Sequence, residues 1–173
     1  MNDAYRIAPF ADVCYFADSE WWNWHKDKPD FKAFAGEKCS IQNSGMNIDD
    51  GNVHLLRNKN FPLNGTGLSL DPEYLVTGHN SGYQAINLAV LAGAKTIILL
   101  GYDGREPQQG NPTHWFGDHP RREPNTVFAL YRQAFKAGAK QIKAAGVRVI
   151  NCSPGSAVDA FEKMKLEEAL NEK

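Results

Sequence analysis

The stretch Lys95-Thr96-Ile97-Ile98-Leu99-Leu100-Gly101 constrains the fold of this chain more than any other. It is short, continuously apolar and rich in β-branched residues, so it reads as a strand. A strand that is apolar at every position is expected to be buried on both faces, as in a parallel sheet covered by helices. Its flanks agree. Upstream, Ala85, Leu88, Ala89 and Ala92 recur at helical spacing between Ser81 and Ala92. Asn80 or Ser81 can cap that helix and Gly93 stops it. Downstream, Val127, Tyr131, Ala134, Phe135, Gly138, Ile142 and Ala145 form one stripe of a helix from Asn125 to Ala145. The strand Val147–Asn151 follows. Strand, helix and strand with one crossover make a right-handed βαβ unit. Ser156 to Leu170 is expected to be helical.

The first half is less regular. Asp12–Ala17, Lys38–Gln42 and Val53–Arg57 read as strands, and Ser19–His25 as a short aromatic helix. Of Trp21, Trp22 and Trp24, two are expected in the core and one toward the surface. Asn58–Pro72, rich in Gly, Asn and Pro, reads as loop. Alternating strands and helices predict an α/β chain. The expected architecture is one Rossmann-like domain over 1–173, with three layers and a mostly parallel sheet carrying helices on both faces.

Composition narrows the function classes. With 42% hydrophobic and 23% charged residues, the chain can bury a core and is not a disordered polyelectrolyte. Lys and Arg number 19 against 20 Asp and Glu, so the basic excess that phosphate neutralisation of nucleic acid requires is missing. The longest apolar stretch, Ala85–Gly101, contains Asn87 and Lys95, and no membrane span is expected. Met1–Arg6 lacks the basic and apolar regions of a secretory signal. Cys14, Cys39 and Cys152 are odd in number and widely spaced, with no C-x-x-C. Neither a disulfide framework nor a zinc knuckle is expected, and a reduced, cytoplasmic setting is.

In open parallel sheets, ligands bind beyond the carboxyl ends of the strands, and four polar clusters fall there. Thr77–Gly82 opens a helix, where free backbone N–H groups at Asn80, Ser81 and Gly82 suit an anion. A capped helix start with a tight turn explains the same residues. Neither a P-loop nor G-x-G-x-x-G is present. Gly101-Tyr102-Asp103-Gly104-Arg105 places an acid where it can take a ribose hydroxyl or a metal-bound water, or make an Asx-turn. Asp18, after Ala17, is similar. Asn151-Cys152-Ser153-Pro154 ends the next strand, and Cys152 there reads as a small buried residue rather than a nucleophile.

The fourth cluster is the connection from Tyr102 to Pro124, long for a compact domain. It holds His114, Trp115, Phe116, Asp118, His119, Arg121 and Arg122. Its aromatics can stack on a base or sugar, Arg121 can pair with a phosphate, and His119 or His114 can move a proton. The two histidines with Asp118 also offer metal ligands, at a spacing that argues weakly for one. A flap packed by Trp115 and Phe116 is the other reading. The concentration of reactive types favours function, as a lid.

Asn80-Ser81-Gly82-Tyr83-Gln84-Ala85, followed by Ala92-Gly93-Ala94-Lys95-Thr96-Ile97-Ile98-Leu99-Leu100-Gly101-Tyr102-Asp103, resembles the sialyltransferase-like Rossmann superfamily. That group includes bacterial lipo-oligosaccharide sialyltransferases, motility accessory factor glycosyltransferases and hydroxymethylpterin pyrophosphokinases. Gly146–Pro154 is similar to the sialyltransferase strand that ends in Ser-Pro. Phage and prophage members share Asn2-Asp3-Ala4-Tyr5-Arg6, Trp21-Trp22 and His114-Trp115-Phe116-Gly117-Asp118-His119-Pro120. The resemblance covers almost the whole chain.

It implies a nucleotide or nucleotide-sugar ligand against Asn80, Ser81, Gly82, Gly101 and Asp103, with Ser153 and Pro154 at the rim and Asn2 matching a donor-contacting asparagine. Glycosyl transfer of this type needs no cofactor. Pyrophosphoryl transfer, the alternative enzyme reading, needs Mg²⁺ near Asp103. A non-catalytic nucleotide-binding or phage-assembly module is the third reading. Two departures stand out. The place of the family's catalytic histidine falls near Ala129, which leaves His119 or His114 as substitutes. The family's first strand and Gly-Pro-Ser-Leu-type loop have no counterpart, so the fold is expected to be N-terminally incomplete. A missing inner strand would leave unpaired sheet edges, which invite homo-oligomers.

Overall fold

The computed structural model describes residues 1–42, 47–60, 65–105 and 127–172. It is an α/β structure built on two parallel sheets rather than one. The first has the order β1 (Val13–Phe16), β2 (Glu37–Gln42), β3 (Val53–Asn58) and β4 (Tyr74–Leu75). The second has the order β5 (Thr96–Leu99), β6 (Arg148–Asn151) and β7 (Glu162–Lys163). Every pair is parallel, with Tyr15 opposite Cys39 in one sheet and Ile98 opposite Ile150 in the other. Among the described residues, β1 and β5 each have a strand on one side only.

Helices lie on both faces of each sheet. Side chains alternate across a strand, so successive residues feed different cores. In β1, Cys14 and Phe16 join an aromatic core with Trp21, Trp22, Phe31 and Tyr5. Those residues come from helix α1 (Ser19–His25), helix α2 (Pro29–Lys32) and a 3-10 turn, Asn2–Arg6. Tyr15 points the other way, toward Ala85, Leu88 and Leu91 of helix α3 (Ser81–Leu91). In the second sheet, Ile97, Leu99 and Val149 meet Tyr83 and Ile86 of α3 and Phe135 and Ile142 of helix α4 (Val127–Ala144). Ile98 and Ile150 face Ala169 of helix α5 (Leu166–Asn171). Helix α3 is therefore apolar on two sides, and it is the element against which both sheets pack.

Local chemistry explains the helix ends. Asn80 caps α3 by accepting a hydrogen bond from the Tyr83 amide at 2.8 Å. Gly93, at φ +88°, takes the left-handed turn that ends it. Gly138 inside α4 has a packing cause: a β-carbon there would collide with the Tyr83 hydroxyl, which reaches past it to the Gly67 backbone.

Two expectations are corrected. β5 is not buried on both faces: Leu99 is, but Ile97 and Ile98 are half-buried and Thr96 is exposed, because β6 is its one partner among the described residues. The expected helix from Ser156 to Leu170 is instead a turn, the two-residue strand β7 and the short α5. The Ser156 hydroxyl donates to the Tyr102 carbonyl at 2.6 Å, and the Val158 amide donates back to that hydroxyl at 3.0 Å. Val158 is then 1% exposed in the core, held in a turn that a helix could not reproduce. Of the tryptophans, Trp21 and Trp22 are buried and Trp24 is half-buried, as expected. All three cysteines are free and buried, and burial pushes the Cys14 thiol up to about 11. Among the described residues no helix is long and apolar enough to cross a membrane.

Candidate functional site

The candidate residues gather where the first turn of α3 meets the carboxyl end of β5. A helix leaves its first N–H groups unsatisfied. Here the Asn80 side chain takes the Tyr83 N–H and donates to the Gly78 carbonyl at 2.9 Å. Its amide is thus committed to the cap, and Asn80 shapes the site rather than offering a free group. The Ser81 and Gly82 amides have no acceptor among the described residues, and they point out of the helix start. His79, just before the cap, holds φ +64°, a left-handed conformation unusual for a residue with a side chain.

Asn2 comes to this end from far away in sequence. It also sits at positive φ, +48°, and its Nδ2 lies 3.4 Å from the Ser81 Oγ. Its Oδ1 is buried without a hydrogen-bond partner. A buried carbonyl oxygen left unpaired costs about 1–3 kcal/mol, so this atom is an acceptor in want of a donor. Beside it stand donors in want of an acceptor, the Ser81 and Gly82 amides.

Tyr102 joins this pair to the rest. Its hydroxyl donates to the Gly82 carbonyl at 3.1 Å and its amide donates to the Ser153 Oγ at 2.7 Å. Its ring lies where a β-carbon at position 82 would come within 2.9 Å, which is why that position is glycine. Ser153 is itself placed by the Asn151 Oδ1, which accepts from its amide at 3.0 Å. Ser153 is buried and serves as a tie between β5 and β6, whereas Pro154 is exposed beside it. Gly101 and Asp103 are exposed at the end of β5. The Asp103 carbonyl accepts from the Ala157 amide at 2.8 Å, so its backbone is fixed while its carboxylate faces outward. Arg132 donates to the Gly104 carbonyl at 2.7 Å and brings a cation alongside.

Asn2, Ser81, Gly82, Gly101, Asp103 and Ser153 thus share one end of the fold, linked through Tyr102. Asp18 is exposed at the carboxyl end of β1, next to Tyr15, whose hydroxyl donates to Gln84 of α3 at 2.8 Å. His114, His119 and Arg121, with Trp115, Phe116, Asp118 and Arg122, lie outside the described residues. Among the described residues no group of three or more His, Cys, Asp or Glu is arranged to hold a metal ion.

Sequence reasoning gave no role to Tyr102 or His79. The signal for the first was a tyrosine directly after the strand-ending glycine. For the second it was a Gly-His-Asn turn placed immediately before a helix. Compared with protein-family models, curated proteins and solved structures, the chain matches none.

Proposed function

We propose that this end of the molecule binds a nucleotide, with its phosphate on the first turn of α3, and that the chain is a nucleotide-sugar-dependent glycosyltransferase of a Rossmann-like type. The observation that carries the reading is the unpaired Asn2 Oδ1 beside Ser81. Donor and acceptor needs lie side by side there. The Ser81 and Gly82 amides and the α3 dipole suit phosphate oxygens. The Asn2 oxygen suits an N–H or O–H of a base or ribose. Asp103, exposed with a fixed backbone, suits a ribose hydroxyl. The resemblance in Asn80–Ala85 and Ala92–Asp103 supports the same ligand class.

In the transfer step the acceptor oxygen bonds to the anomeric carbon as the bond from that carbon to the donor phosphate breaks. The acceptor hydroxyl proton passes to a histidine, His119 or His114, and the first turn of α3 stabilises the leaving phosphate. A thermal-shift panel of nucleoside mono- and diphosphates tests the ligand class, because binding to the native state raises the melting temperature. The expected result is a shift with one nucleotide that Asn2→Ala and Asp103→Ala each remove. A folded protein that shifts with no nucleotide at millimolar concentration defeats the reading. If the shift appears only with Mg²⁺ and vanishes with chelator, pyrophosphoryl transfer replaces glycosyl transfer.

A further inference from the structure

At the opposite end of the second sheet lies a cleft of about 610 Å³ that the nucleotide reading does not use. Its walls are the last turns of α4, the start of β6, and the approach to β7. Its floor is apolar: Ile142, Val147 and Val149 are each buried, and the half-buried Phe161 closes one side. The volume is that of a small-molecule site, not of a surface dimple.

The charges around it are uneven. On the β side, Arg148 Nε donates to the Glu162 Oε2 at 3.0 Å and its Nη2 to the Glu162 Oε1 at 2.9 Å, with a further bond to Glu172. That rim holds two carboxylates on one guanidinium and keeps one negative charge, all of it tied up around Arg148, against two positive charges on the other side. On the α4 side, Lys140 and Lys143 stand one turn apart on the same face. Neither has an ion-pair partner among the described residues. Lysines at a cleft mouth lay their carbon chains along its apolar wall and hold the ammonium groups at the edge. An apolar floor beneath two uncompensated ammonium groups calls for a molecule with an apolar body and an anionic head.

We propose that this cleft is a binding site for an amphipathic organic anion, an aryl or medium-chain alkyl carboxylate, whose body lies on Ile142, Val149 and Phe161 and whose carboxylate pairs with Lys140 and Lys143. The site stands apart from the nucleotide reading and does not depend on it. It borders the amino-terminal end of β6, whereas Ser81, Asp103 and Ser153 border the carboxyl ends of the strands.

The test is a titration of the whole chain with octanoate, octan-1-ol and acetate, followed by calorimetry and by amide chemical shifts. Octanoate is expected to saturate and to move the amides of residues 139–149 and 160–162. Octan-1-ol, with the body alone, and acetate, with the head alone, are each expected to bind at least about tenfold more weakly. The double variant Lys140→Gln, Lys143→Gln is expected to lose about tenfold or more for octanoate, with octan-1-ol binding and the melting temperature unchanged. Ala139→Trp, which fills the cleft from an already half-buried position, is expected to abolish both. Equal binding of octan-1-ol and octanoate overturns the proposal. So do octanoate shifts elsewhere, undiminished binding by the double variant, or no octanoate binding up to about 10 mM.

Discussion

The strands β1 and β5 hold equivalent places, each at one side of its sheet, and they are finished differently. In β1, Cys14, Tyr15 and Phe16 are all buried. In β5, Ile97 and Ile98 are half-buried, and Leu100 just beyond is 58% exposed. Yet Ile97-Ile98-Leu99 is purely aliphatic, whereas Cys14-Tyr15-Phe16 carries a thiol and a hydroxyl. The turn Asn2–Arg6 lies against β1, where the Cys14 thiol reaches the Asn2 carbonyl at 3.9 Å and Tyr5 joins the same core. Among the described residues, β5 pairs with β6 alone. The burial of a sheet-side strand is therefore decided by what crosses it, more than by its own hydrophobicity. The element that covers β1 also delivers Asn2 to the candidate site, so sealing that core and building the site are one structural act.

The largest effect expected is at Phe16. It is fully buried and its ring packs with Trp21, Trp22 and Phe31. Phe16→Ala should cost about 3–5 kcal/mol in urea unfolding, against about 1 kcal/mol for Ile97→Ala in β5. Equal losses would break the contrast between the strands.

Next comes the polar centre of the first core. The Asp3 carboxylate, 4% exposed, accepts from the Trp21 indole N–H at 2.7 Å and stands 3.5 Å from the His25 Nε2. Asp3→Ala should cost about 1–3 kcal/mol, because it leaves the indole N–H buried without an acceptor. The same unfolding experiment reads it.

A pH effect of smaller size sharpens the comparison further. His25 stacks on Trp21 at 4.2 Å and its Nδ1 meets the Tyr5 hydroxyl at 2.9 Å. Burial holds its pKa below the ordinary value, outweighing the opposite pull of Asp3, with Lys28, Asp30 and Arg6 also nearby. A depressed histidine pKa means that the unfolded chain takes up the proton first. Stability from His25 is thus intact above about pH 6.5 and falls as pH drops from there toward the folded value, by at most about 1.4 kcal/mol per pH unit. Urea midpoints from pH 8 to pH 5 should show this slope, and His25→Phe should flatten it.

The smallest effect on stability belongs to the exposed side of β5. Thr96→Lys should change unfolding free energy by about 0.5 kcal/mol or less, since the residue is exposed. It should nevertheless reduce concentration-dependent association in sedimentation, because a charge blunts a strand edge that has no partner among the described residues. The equivalent change Tyr15→Lys, in β1, should unfold the protein.

Much of this was legible from residue patterns. The aromatic helix Ser19–His25, the capped and glycine-stopped α3, and the β5–α4–β6 unit follow from spacing and end signals. The two-residue β4 was not legible, because so short a strand has no period of its own. The turn after β6 was misread because its backbone is held by hydroxyls answering to Tyr102, a residue about fifty positions away. The exposure of β5 was misread because periodicity reports which residues are apolar, not how many neighbours the fold supplies. In the site, Ser81, Gly82 and Asp103 were named from helix and strand ends, whereas Asn2 came through resemblance alone. No local pattern announces a side chain brought to α3 from the start of the chain.

Gly82 and Tyr102 fill a single volume, with the ring of one standing where the β-carbon of the other would be. Two positions that share a space cannot drift independently. A sequence descended from this one can enlarge residue 82 only after residue 102 has shrunk, and a smaller residue at 102 opens a hole that a side chain at 82 would fill. The pair should therefore change in step over evolutionary time, the bulk moving from one position to the other while their sum stays nearly constant.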